Sequence, residues 1–194
     1  MLKKRELKQY HAFDDNNYID WFRKQKSACK SLNSSVRQTI RCYTGYTYIY
    51  LNECLRNRQM SEEAIRLRND MMSGFDAMSP IEENIYVYRF VPLDVLNMMV
   101  NSPNRIFLER GFLSTTLDPN ICHTSDVLAS YEFVLRICIP GGTKAICADI
   151  FDNRHEKEII FPCNTQLHYI GKARSNTELR KIGIKRIYNF ICEF

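Results

Sequence analysis

Three short stretches of this 194-residue chain combine residue types that can do chemistry. Arg89 stands near the end of the β-branched and aromatic run 85–90. An arginine pointing inward from a central strand is costly unless it meets an anion, because its guanidinium stays charged. Ser114 and Thr116 are two apart in the run 111–116, so in an extended backbone their hydroxyls share one face. Glu156 and Glu158 are also two apart, flanking Lys157 directly before Ile159-Ile160-Phe161. On a strand, both carboxylates would project to one side, where they repel unless cations or chemistry compensate. The set offers an anion holder, hydroxyl donors and a carboxylate pair. Taken singly, each stretch also has a plain structural account: a strand-end arginine reaching solvent, a polar strand face, a solvated acidic turn.

The elements that must position these residues fall into two parts. The spacing predicts a mainly helical part, residues 1–79. Tyr18, Ile19, Trp21 and Phe22 mark a first helix, and a second starts near Ser35 with Val36, Ile40 and Tyr43 on one face, broken at Gly45. A third begins at the capping signal Ser61-Glu62-Glu63 and is expected to stop at Gly74. From about Pro80 to residue 194 the pattern predicts a mainly β part: strands at 85–90, 111–116, 131–139, 144–150, 157–161, 166–170 and 185–194, with a short helix at 93–100. Helices first and strands after, without βαβ alternation, imply one α+β domain over 1–194 with mainly antiparallel sheets.

Composition narrows the class. With 45% hydrophobic and 25% charged residues the chain reads as globular rather than disordered. The net charge of +5, with Arg37, Arg41, Arg56, Arg58, Arg66 and Arg68 among the helices, is compatible with a nucleic acid or an acidic partner surface. Eight cysteines lack regular spacing and several lie in apolar runs, which reads as reduced core thiols. The polar N-terminus carries no Sec-type signal, and no stretch approaches the roughly 18 apolar residues of a membrane span, so the expected location is the cytoplasm or outside by another export route. There is no Gly-x-Gly-x-x-Gly after a strand and no phosphate-cradling Gly-x-x-x-x-Gly-Lys-Ser/Thr. His11, His123, His155 and His168 form no ligand pair, and nothing completes a set around His155, Glu156 and Glu158, so no metal is expected.

In order, an arginine on a strand, then Ser-Thr-Thr on a strand, then Glu-x-Glu before an apolar strand resembles the Arg/Ser/Glu class of mono-ADP-ribosyltransferases, which includes bacterial toxins. The likeness extends to Tyr43-Thr44, Tyr48, Asn52 and Leu55-Arg56, similar to that family's helix motif. It continues through Gly111-Phe112, Ile139-Pro140-Gly141-Gly142-Thr143, and Pro162, Thr165 and Tyr169-Ile170, covering roughly residues 36–171. Phe90 replaces a frequent glycine, Thr116 the last serine, and Cys163-Asn164 the usual Arg-Gly.

The resemblance implies N-terminal helices packed on two antiparallel sheets forming a β-sandwich, with NAD⁺ as substrate in a cleft. It implies that Arg89 holds the pyrophosphate, that Glu158 stabilises an oxocarbenium-like transition state, and that Ser114 positions Glu158. Phe90, Ser114, Thr115, Thr116 and Glu158 are implied to line the dinucleotide. Glu156 would pair with the acceptor, a protein arginine first. Transfer to RNA or DNA by an intracellular toxin held by an antitoxin or immunity protein is the alternative, and an inactive binding domain the third.

Overall fold

Side chains that cap helix starts set up the first half. In the computed structural model, which describes residues 6–121, 133–152, 154–175, 177–181, 184 and 186–193, helix α1 (Asp15–Ser31) begins where the Asp14 carboxylate accepts the Asn16 N–H. Helix α2 (Ser34–Cys42) is capped by Asn33 through the Val36 N–H, and α4 (Glu62–Ala77) by Ser61 through the Ala64 N–H, as the sequence signal predicts. Gly45 does not break the chain. Residues Tyr43–Thr47 form a π-helical turn that carries α2 straight into α3 (Tyr48–Asn57). Gly74 does not stop α4 either, which runs on to Ala77. Its hydrogen lies where a Cβ would come within 2.8 Å of Ile40 Cδ1, so this glycine serves the close packing of α2 on α4.

The second half is strand-rich, and strands β1 (His11–Ala12), β2 (Ile85–Val91), β3 (Ile106–Glu109), β4 (Leu113–Thr116), β5 (Phe133–Ile139), β6 (Ile146–Cys147), β7 (Glu158–Phe161), β8 (Thr165–Arg174) and β9 (Arg186–Glu193) join in the order β3-β8-β9-β5-β2-β4-β7-β6, with β1 added beside β2. Helices α5 (Leu93–Val100) and α6 (Thr177–Lys181) lie between strands in the chain. Pairing is antiparallel except for β1–β2 and β5–β9. The expected pair of sheets is thus one hydrogen-bonded path with two limbs. They meet through a single registered pair, Tyr88 with Thr116. Val87, Leu135 and Phe190 from one limb and Leu113, Ile159 and Phe161 from the other fill one apolar core, as in a sandwich.

Several boundaries differ from the sequence reading. The strand expected at 144–150 is only Ile146–Cys147, followed by a 3-10 turn at Ala148–Ile150. Strands β1 and β3 and helix α6 carried no clear signal. Tyr131 and Glu132 of the third expected strand, Lys185 and Phe194 of the last, and Cys122 and His123 lie outside the described residues. The seven described cysteines are all free. No helix among the described residues is long and apolar enough to cross a membrane.

Helices α2 to α4 cover the β4–β7–β6 limb. Ile40, Tyr43, Leu51, Met71 and Phe75 form a second core with Phe112, Ile146 and Ile160. Asn52 ties helix to strand: its Oδ1 accepts the Phe112 N–H at 2.8 Å, and its amide donates to the Tyr43 hydroxyl. Gly111 is required beside it, since a Cβ there would stand 2.8 Å from Asn52 Oδ1. This brings the π-helical turn over the strand that bears Ser114.

Candidate functional site

The pleat of the β4–β7 pair sorts the sequence-identified residues. Thr116 is registered opposite Glu158, and Ser114 opposite Ile160, so Ser114, Thr116 and Glu158 share the face toward the helices. Ser114 stands beside both the Glu158 carboxylate and the Tyr43 hydroxyl, and its hydroxyl favours the ionised form of each. Thr116 Oγ1 donates to the Glu156 carbonyl at 2.7 Å and accepts the Asp118 N–H at 3.0 Å, pinning the loop before β7. Thr115 projects to the opposite face, where its hydroxyl donates to the Ile159 carbonyl. On β2 the Phe90 ring likewise turns away from Arg89, into the outer cluster with Tyr88 and Val134.

Arg89 reaches from β2 toward β4 and the end of β3. Its Nη1 donates to the Ser114 carbonyl at 3.3 Å and its Nη2 lies 3.8 Å from Glu109 Oε2. The buried Glu109 is held mainly by Arg56, through Nε at 2.9 Å and Nη2 at 3.1 Å, and also accepts the Gly111 N–H. Two guanidiniums therefore converge on one carboxylate. Arg56 also lines a cavity of about 310 Å³ with Tyr48, Ile49, Asn52, Glu53 and Asn57.

The two acids do not sit on one strand. Glu158 opens β7, whereas Glu156 lies in the preceding loop between His155 and Lys157, both of which have positive φ. A non-glycine residue in that region costs about 1 kcal/mol or more. Contacts from elsewhere hold it: Asp149 accepts the Lys157 and Glu158 N–H groups, and Lys157 Nζ pairs with Asp15 and lies over the Tyr18 ring.

Arg154, which the sequence did not single out, compensates the acid pair. Its Nη2 lies 3.1 Å from Glu158 Oε2 and its Nη1 3.7 Å from Glu156 Oε2. Burial pushes the Glu158 carboxyl up from 4.5 to about 7, although Arg154 and the Ser114 hydrogen bond pull it down. Burial also raises the Tyr43 phenol, which stays protonated as a hydrogen-bonding hydroxyl. No group of three or more histidine, cysteine or acidic side chains that could hold a metal occurs among the described residues.

The arrangement offers a half-buried, positioned carboxylate, an outlying second carboxylate and two convergent arginines. A family model described as ADP-ribosyltransferase exoenzyme matches residues 18–188. No curated protein matches the sequence. Among solved structures, the fold is similar to the ADP-ribosylating toxin BECa of a C. perfringens binary enterotoxin, solved with NADH, at 18% identity and TM-score 0.74. That match covers 95% of this chain and 50% of the other, so the chain spans half the length of BECa. It is also similar to C3stau2 of S. aureus, solved with NAD (20% identity, TM-score 0.72, 93% and 96% covered), and to the Clostridium limosum C3 exoenzyme (16%, 0.72, 95% and 98%).

Proposed function

The chain belongs to the ADP-ribosyltransferase exoenzyme family of NAD⁺-dependent transferases, and from that premise we propose that it moves ADP-ribose from NAD⁺ to a protein arginine, with Glu158 as the catalytic carboxylate. The observation that carries this reading is the Glu158 carboxylate, half-buried and bracketed by Ser114 across the strand pair and by Arg154 on its own loop. Breaking the nicotinamide–ribose bond releases neutral nicotinamide and leaves positive charge on the ribose. A fixed carboxylate that bonds a ribose hydroxyl stabilises that charge where it develops. Arg89, with Arg56 beside it at Glu109, suits the pyrophosphate, which a guanidinium can take by two parallel hydrogen bonds. Ser114 positions Glu158, and Thr116 fixes the loop through the Glu156 carbonyl. Phe90 and Thr115, with side chains on the far faces, would meet the dinucleotide only through their main chain.

The reading assigns Glu156 to the acceptor. Its carboxylate already lies near one guanidinium, that of Arg154, which supports a cationic partner at this position. Glu156→Ala is expected to keep most NAD⁺ hydrolysis and to lose transfer. Parallel assays of nicotinamide release and of label fixed on protein check this, and a variant that transfers normally removes Glu156 from the acceptor role. The RNA or DNA alternative draws on the +5 charge with its helix arginines, and nuclease-sensitive label would replace the protein acceptor with a nucleic acid.

A pH dependence follows from the raised carboxyl. Glu158 acts when ionised, so kcat/KM for nicotinamide release should rise with pH through an acid limb near 7 and level off above it. A limb near the ordinary value of 4.5, measured on the same assay, would mean that Glu158 is not the group being read.

A further inference from the structure

We propose that Arg154 is a positioning residue of the transfer reaction, a planar arm that ties the loop bearing Glu156 and Glu158 to the π-helical turn and holds the Glu158 carboxylate opposite Ser114. The proposal rests on the reading of Glu158 as the catalytic carboxylate.

The contacts of Arg154 span three parts of the molecule. Its Nε and Nη2 donate to Asp152 Oδ2 at 2.9 and 2.7 Å, and its own N–H donates to Asp152 Oδ1. Nη2 also donates to the Thr44 carbonyl, 110 residues away in the chain, at 2.7 Å, and to Glu158 at 3.1 Å. Nη1 is turned toward Glu156. Thr44 follows Tyr43, whose hydroxyl reaches Glu158 through Ser114. Two consecutive residues of the π turn thus address the same carboxylate from two sides, one through a serine and one through an arginine. A lysine cannot reproduce this, since a single ammonium lacks the fork that bonds Asp152 while bridging Thr44 to Glu158.

Charge acts in the same direction. The groups facing Glu158 are Arg154, Asp152 and Glu156 from its own loop, Asp149 at its N–H, Tyr43 from the π turn, and Ser114 on β4 with Arg89 behind it. Arg154 is the cation in direct contact with the carboxylate, so it opposes the effect of burial and favours the ionised form.

The test is nicotinamide release by the purified chain with NAD⁺, followed against pH for wild type, Arg154→Ala, Arg154→Gln and Arg154→Lys. For the alanine and glutamine variants we expect kcat to fall about ten- to a hundredfold with KM for NAD⁺ little changed. Their acid limb should move up by about one pH unit. Lysine should restore the limb but only part of kcat. Should the alanine variant fail to fold, the glutamine and lysine pair carries the same comparison. An acid limb that stays at the wild-type pH in folded Arg154→Ala or Arg154→Gln, with or without a loss of rate, overturns the proposal. Nicotinamide release by Glu158→Gln at the wild-type rate would instead overturn the underlying reading, so the two failures are distinguishable.

Discussion

Replacing Glu158 with alanine is expected to remove nicotinamide release and transfer together, with kcat falling by about 10²–10³-fold, the effect of deleting one electrostatic contact to a developing charge. The size follows from where the carboxylate sits. It is largely shielded from water, lies next to the hydroxyl of Ser114, and has Thr116 as its registered neighbour across the strand pair. Solvent cannot replace it at the ribose. The loss should not come from unfolding, and Glu158→Gln is the control. A carboxyl raised to about 7 holds its proton more tightly in the folded chain than in the unfolded one. Its contribution to stability is therefore fully present at low pH and is lost as pH rises from about 4.5 through 7. Above pH 7 the wild type bears the cost of a charged, partly desolvated carboxylate, which neutral glutamine escapes. Thermal melts at pH 8 should find Glu158→Gln at least as stable as the wild type yet inactive. A glutamine variant that turns over NAD⁺ at the wild-type rate would remove Glu158 from the reaction.

Arg89→Ala is expected to weaken NAD⁺ binding by about 10- to 100-fold, the loss of hydrogen bonds to a charged group. Removing this arginine does not strand a buried charge. Glu109 keeps both hydrogen bonds from Arg56 and that of the Gly111 N–H, so the variant should fold. Titration calorimetry with NAD⁺ decides the point. Unchanged affinity would assign the pyrophosphate to other groups, Arg56 first among them.

How much of this could be read in advance depended on whether the signal was local. The capping role of Ser61, the β-branched and aromatic run 85–90 and the order of Arg89, Ser114 and Glu158 are local or ordered features, and the structure brings the last three around one strand pair. Features made by distant contacts were hidden. Arg154 stands in a polar run with no periodicity, and its partner Thr44 belongs to another layer. Glu109 and Arg56 are 53 residues apart, so neither looked special alone. The two-residue spacing of Glu156 and Glu158 left open whether both acids share a strand face or lie in an acidic turn. Left-handed backbone at His155 and Lys157 sets Glu156 in the loop, and that conformation is held by Asp149, Asp15 and Tyr18, none of which the residue types at 154–158 could announce. Gly45 and Gly74 show the same limit. One sits in a π-helical turn and the other at a helix crossing, where sequence statistics favour a break or a stop.

The central claim is that Glu158 drives transfer of ADP-ribose from NAD⁺ to protein. The most direct measurement incubates the wild type and Glu158→Gln with NAD⁺ labelled in its adenylate half and a cell lysate, then digests separately with protease and with nuclease. The account predicts macromolecule-bound label with the wild type alone, lost to protease and resistant to nuclease. Equal label with Glu158→Gln, or none with either protein, would contradict it.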